Sequence, residues 1–275
     1  MSGLGLLADM KPFQTNIVEP RTGSREQRII ELVRDRGVAA IQDLASEFDV
    51  TPQTIRRGVN RLSALGLLRR VHGGVTVPPA NANLPWATRE VQHIDAKQRI
   101  AAEVARMIPD GASVAIGLGT TPHQVALALR AHRGLRVVTN SLRVVLALAG
   151  TNEVEITVAG GTLRPADLDV VGEPAARTFG AFKTDFAVFG VGGIDADGSL
   201  LDFHGEEVVA RETMRRHSRV SLLVADASKF GRAAMARGGS LADVDLLVTD
   251  SPPAPPYEHL LQGPKPRVHL AGGAA

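Results

Sequence analysis

Between residues 113 and 248 the chain repeats one pattern: a short apolar run, a few small or polar residues, then a helix-length stretch. The runs are Ser113 to Ile116, Leu135 to Val138, Val154 to Val158, Phe186 to Phe189, Val220 to Val224 and Leu246 to Val248. Most are nearly continuous in apolar residues, which marks strands covered on both faces. Helices fit Lys97 to Met107, Pro122 to Arg130 and Ser141 to Ala149 between them. Strands alternating with helices predict an α/β domain built on a mostly parallel sheet.

In such sheets, ligands bind beyond the carboxyl ends of the strands. The segments that follow the runs are therefore the candidate site. The first is Gly117-Leu118-Gly119-Thr120-Thr121, opening directly into a helix, where free backbone N–H groups and threonine hydroxyls suit an anion. Asn140 follows the second run, Gly161 and Arg164 the third, and Gly193 and Asp195 the fourth. Ala225-Asp226-Ala227-Ser228-Lys229 follows the fifth, and Lys229 suits a phosphate as a point charge. Gly119, Thr120, Thr121, Asn140, Gly161, Arg164, Gly193, Asp195 and Lys229 are the expected ligand-binding residues. Other roles are open to several of them: Arg164 as a surface residue, Asp195 as the cap of the Asp197-Gly198 turn, Asp226 as a partner of Lys229. His123 fits a surface position as well as a ligand contact.

The amino-terminal part follows different rules. Ser24 with Gln27 forms a capping-box pattern ahead of the apolar stripe Ile29, Ile30, Leu32 and Val33, which ends at Gly37. A second helix fits Ile41 to Phe48, and Thr51 caps a third with Pro52 in its first turn. In that third helix Ile55, Val59 and Leu62 form the core face, and Gln53, Arg56, Arg57 and Asn60 the opposite one. Leu67 to Val77 reads as a hairpin turning near Gly73-Gly74. From Val50 to Val77 there are five arginines and no Asp or Glu, although the formal charge of the whole chain is only +2. Positive charge concentrated on a helix and the hairpin after it suits double-stranded DNA: the helix in the major groove, the hairpin as a wing on the backbone. Gln53, Thr54, Arg56, Arg57, Asn60, Arg61, Arg69, Arg70 and His72 are the expected DNA-binding residues. A trihelical module for protein contacts is the alternative, and the acid-free arginine cluster argues against it.

Pro78 to Pro85 is rich in Pro and Asn and reads as an extended linker. The organisation expected is a disordered leader over 1–20, a winged helix-turn-helix over 21–77, a linker over 78–90 and the α/β domain over 91–275. Cysteine is absent, which excludes disulfides and thiolate metal sites; no cofactor and no metal are expected. No segment reads as a signal peptide or a membrane span, so a cytoplasmic protein with no membrane partner is expected.

The stretch TPQTIRRGVNRLSALGLLRRVHGG resembles the DNA-binding signature of the DeoR family of bacterial regulators. GTTPHQVALAL, VVTNS, AGGTLRP, FGVGGIDADGSLLDF and ADASKFGR resemble that family's sensor domain. The resemblance implies a sensor fold of the sugar-phosphate isomerase and CoA-transferase type. It also implies a homodimer or homotetramer on an operator, and release by a phosphorylated small-molecule effector. Pro52 to Arg57, Gly117 to Pro122, Asp197 to Phe203 and Ser228 to Arg232 narrow it to members responding to glycerol 3-phosphate. Three positions depart from the family's pattern. Gly58 and Gly117 stand where an acid is usual, and His204-Gly205 replaces an acid-aromatic pair. Two alternatives accompany this reading: a regulator responding to another sugar phosphate, and a phosphosugar isomerase with Asp195 or Glu206 as base.

Overall fold

The computed structural model describes residues 24–79, 82–151 and 153–272. The expected leader and the cap at the Ser24 side chain lie outside what is described. α1 (Ser24–Arg36), α2 (Ile41–Glu47) and α3 (Pro52–Ala64) pack around Ile29, Val33, Leu44, Ile55, Val59 and Leu62. A short strand, β1 (Val38–Ala40), precedes α2 and was not anticipated from the sequence. It pairs antiparallel with β3 (Gly74–Thr76), which also pairs with β2 (Arg69–Val71), giving the order β1-β3-β2. Gly74 is required there, because a Cβ would stand 2.5 Å from the carbonyl oxygen of Ala39. Three helices and this small sheet make a winged helix.

The stretch expected to be extended linker ends in a helix, α4 (Trp86–Val91). Trp86, the first residue of this helix, is buried, and its packing anchors the segment. Arg143 lies 4.1 Å from the centre of its ring and the ring of His123 meets it edge-on at 5.8 Å. His123 is thus a packing partner of the linker rather than a surface residue.

Beyond α4, α5 (Ile94–Met107) leads into a seven-stranded sheet in which every neighbouring pair is parallel. The strands on the amino-terminal side are β4 (Ser113–Ile116), β5 (Arg136–Thr139) and β6 (Glu155–Val158), connected through α6 (Thr120–Ala128) and α7 (Leu142–Leu148). A hairpin follows, β7 (Thr162–Arg164) with β8 (Asp169–Val171), then α8 (Glu173–Gly180). β9 (Thr184–Phe189) returns to the main sheet. β10 (Gly193–Ile194), β11 (Ser199–Asp202) and the later β13 (Ala236–Ser240) form a separate antiparallel sheet. After α9 (Gly205–Arg216), the strands β12 (Ser218–Val224), β14 (Leu246–Thr249) and β15 (Arg267–Leu270) complete the main sheet.

Its order is β15-β14-β12-β9-β4-β5-β6. The chain therefore winds outward in one direction from β4 and in the other from β9. Their carboxyl ends diverge, and the crevice between them is where an open α/β sheet takes its ligand. One face of the sheet is covered around Ile100, Val104, Val125, Leu129, Val144 and Leu148. The other is covered around Phe179, Phe189, Ala210, Met214 and Leu200.

Candidate functional site

The first surface is α3 with its wing. Thr51 caps the helix, its Oγ1 accepting from the Thr54 N–H at 3.3 Å, and Pro52 occupies the first turn. Ile55, Val59 and Leu62 are buried, while Gln53, Thr54, Arg56, Arg57 and Asn60 are exposed along the outer side. Arg70 of the wing donates to Asn60 Oδ1 at 3.2 Å, so helix and wing present one continuous face. Arg69 and His72 are exposed beside it. Arg61 is placed differently: its guanidinium lies 3.1 Å from Glu26 of α1, which ties the helix to its own domain. Among the described residues nothing demands Gly58, since a Cβ there meets no atom within 4 Å.

The second surface is a cleft of about 570 Å³ at the divergence of β4 and β9. Leu118 to Pro122 line one side and Gly190 to Gly192 another. Gly119 has φ +120°, a conformation that aims the start of α6 into the cleft. The cleft carries both signs of charge: Arg89, Lys229 and Arg232 line it together with Asp167, Asp169, Asp202 and Glu207, and Asp167 pairs with Arg89. Arg89, Lys229 and Arg232 also face an adjoining recess together with Lys97 and Asp226. Burial pushes the Lys229 ammonium down to about 7, with Arg232 adding to the shift and Asp226 opposing it. Burial likewise lowers Lys97 to about 8. In the recess, Arg89, Lys97, Lys229 and Arg232 face Asp226 as the one acid among the described lining residues, a charge balance that suits an anion. Burial raises the carboxyls of Asp202 and Glu207 against the pull of Arg211 and Arg164 respectively.

Of the ligand residues expected from sequence, Gly119, Thr120, Thr121 and Lys229 line the cleft together. The others have different surroundings. Arg164 donates to both oxygens of buried Asp169, at 2.8 and 2.5 Å, and meets Glu207 at 2.6 Å. Its guanidinium is consumed in orienting two cleft carboxylates, because those acids would otherwise be buried unpaired. Asp195 is exposed and caps its own turn through the Ala196 N–H at 2.8 Å. Glu206 is exposed as well, so neither carboxylate considered as an isomerase base faces the cleft. Gly161 and Gly193 serve close backbone approach: a Cβ would lie 2.5 Å from Val171 O and 1.9 Å from Arg232 O, respectively. Asn140 donates to Val170 O at 3.0 Å and lines a smaller annex of about 290 Å³ that shares Leu118, Gly190, Asp202 and Glu207 with the cleft. Its Oδ1 is buried without a partner. Gly117 also lines the annex, and the thioether tip of Met214 fills the space its side chain would take, 2.9 Å from an added Cβ.

Sequence reasoning missed Arg89, Arg232, Asp169, Asp202 and Glu207. Arg232 closes the SKFGR run and was within reach. Arg89 lay inside the presumed linker, and the acids are brought in by β8, β11 and α9 from outside the strand-end loops.

Residues 92–251 match the DeoR C terminal sensor domain, and residues 25–80 match the DeoR-like helix-turn-helix domain. The chain belongs to the DeoR family of transcriptional regulators. It is 43% identical to the glycerol-3-phosphate regulon repressor of Escherichia coli strain K12, over 83% of this chain and 91% of that protein. The Haemophilus influenzae protein of the same name is 44% identical, over 83% and 89%. Among solved structures, ribose 5-phosphate isomerase A from Methanocaldococcus jannaschii is similar with a TM-score of 0.38 and 14% identity, over 51% of this chain and 56% of that one. As a DeoR-family member whose relatives are repressors, the chain is a DNA-binding transcriptional regulator rather than an enzyme. Among the described residues no helix is long and apolar enough to cross a membrane.

Proposed function

We propose that this regulator represses genes of glycerol and glycerol-3-phosphate metabolism, and that glycerol 3-phosphate in the cleft releases it from its operator. The observation that carries the reading is the cleft itself. Phosphate pairs with the start of α6, Lys229 and Arg232, and carboxylates of the same cleft accept from the ligand's hydroxyl groups. The names of the two relatives point to the same ligand. Gln53, Thr54, Arg56, Arg57 and Asn60 read the groove, and Arg69, Arg70 and His72 hold the backbone, with Arg61 bracing the helix from behind. The functional units are the winged helix over 21–77, a coupling segment over 78–90 and the sensor over 91–275. The protein acts as a homodimer or homotetramer in the cytoplasm.

One feature favours a second reading. The annex at Gly117 offers an unpaired acceptor, Asn140 Oδ1, beyond the carboxylates. A phosphorylated polyol or sugar longer than glycerol would place a hydroxyl there. A thermal-shift panel of glycerol 3-phosphate with four- to six-carbon phosphorylated polyols and sugars decides between them, since a ligand preferring the folded state raises its melting temperature. The largest shift is expected with glycerol 3-phosphate. A response confined to the longer ligands would replace it as effector.

A further inference from the structure

α4 stands between the DNA-reading head and the cleft and touches both. On the head side, Thr88 is 3% exposed and its hydroxyl donates to the carbonyl of Leu65, in the turn that ends α3. Pro85 packs beside it on Gly66, which has φ +68° and whose added Cβ would stand 2.3 Å from Pro85 Cδ. On the sensor side the next residue, Arg89, lines both the cleft and the adjoining recess of Lys97, Lys229 and Arg232. Its Nε donates to Leu84 O at 2.8 Å and its guanidinium pairs with Asp167. The Arg89 carbonyl accepts from the Lys97 ammonium, which also donates to Gln92 O at 2.5 Å, so α5 grips the end of α4.

We propose that Arg89 is a phosphate ligand carried by the linker, and that α4 transmits occupancy of the cleft to the recognition helix. The proposal rests on the reading that the cleft takes a phosphorylated effector, but on the phosphate alone and not on which effector bears it. Arg89 holds a single carboxylate. A phosphate dianion offers three oxygens and nearly twice the charge, in a geometry that the guanidinium fork matches bidentately. With Lys229 and Arg232 facing the same space, an incoming phosphate competes with Asp167 for Arg89. α4 is only six residues long and has no side-chain N-cap, so its position is set by these contacts rather than by its own hydrogen bonds. Drawing Arg89 inward displaces Thr88, and with it the hydrogen bond to the end of α3. By linkage, DNA that holds α3 in place weakens phosphate binding by the same factor.

The test uses the full chain and inorganic phosphate. Trp86, the only tryptophan, sits on α4 beside Arg89 and reports the event by its fluorescence. Phosphate should change that fluorescence and alter hydrogen exchange both at residues 84–91 and at residues 62–68. Arg89→Gln should weaken phosphate binding about tenfold or more, as expected for a lost charge-assisted pair. Arg89→Lys, which keeps the charge and loses the fork, should fall between and guards against a Gln variant that does not fold. Thr88→Val should bind phosphate at least as tightly as the wild type, yet lose the exchange response at residues 62–68. The proposal is overturned if phosphate fails to bind at millimolar concentration. It is equally overturned if both Arg89 variants bind phosphate normally, or if Thr88→Val keeps the full response in α3. If phosphate behaves as expected while glycerol 3-phosphate binds no better, the effector assignment fails and the role of Arg89 stands.

Discussion

Binding of glycerol 3-phosphate should take up protons at pH 8 and release them at pH 6. The cause is the Lys229 ammonium, which burial holds at about 7 instead of its ordinary 10.5. With a pKa of about 7, Lys229 is only about 10% protonated at pH 8 in the free protein. A phosphate dianion beside it favours the charged form and returns it toward its ordinary range, so binding at pH 8 captures about 0.9 proton per site. The phosphate gives none back there, because its second pKa is about 6. At pH 6 Lys229 is about 90% protonated already, while about half of the ligand is monoanion and must lose its proton to bind as the dianion. The net change is then a release of about 0.4 proton. Titration calorimetry in two buffers of different ionisation heat, at each pH, measures both numbers. Affinity should correspondingly fall nearly tenfold per pH unit above 8, the slope that one captured proton imposes. Lys229→Met should abolish the uptake at pH 8. It should also stabilise the free protein by up to about 4 kcal/mol near neutral pH, because it removes a desolvated charge whose net suppression, with the pull of Asp226 already included, is worth about 1.36 kcal/mol per pKa unit. The sign for the unliganded wild type follows from the same depression. The folded state binds fewer protons than the unfolded one between about 7 and 10.5, so its stability rises with pH through that window. Equal heats in the two buffers at pH 8 would refute the reasoning, since Lys229 would then not meet the ligand's charge.

Gly58→Ala should stabilise the protein by about 1 kcal/mol in urea denaturation, because the added Cβ meets nothing within 4 Å and helical glycine is costly. A loss of stability would mean that Gly58 has a packing role the structure does not contain. Arg57→Ala should abolish or respecify operator binding and, if it contacts a phosphate, lower the salt slope by about 1 while leaving ligand titrations unchanged. Equal loss of both activities would show that Arg57 is not a DNA contact. Arg164→Met should cost about 3–5 kcal/mol, as it strands Asp169 and Glu207 without their cation. A melting temperature within a degree of the wild type would contradict that pairing.

Local rules were enough for several parts of the molecule. Thr51 and Pro52 start α3, the spacing of Ile55, Val59 and Leu62 sets its buried face, and Gln53, Arg56, Arg57 and Asn60 follow on the other. These are effects within a turn or two of helix, so they are written in the residues themselves. The apolar runs likewise specified strands, buried in the middle of the sheet although the edge strand β6 is largely exposed, and the glycines after β4 specified a turn that lines the cleft. Tertiary structure decided which charges are free. Arg164 follows β6 as promisingly as Lys229 follows β12, yet β8 and α9 bring Asp169 and Glu207 against it and leave it no charge to offer. Arg89 shows the converse. Its neighbours Pro85 and Asn83 read as linker, but burial of Trp86 folds the segment into α4 and turns Arg89 into the cleft. Strand β1 is too short to form alone and exists because Gly74–Thr76 passes beside it. Sequence alone therefore determined a DNA reader joined to an α/β sensor with an anion loop. Which cations line the cleft, and that the expected linker supplies one of them, depends on elements distant in the chain meeting in space.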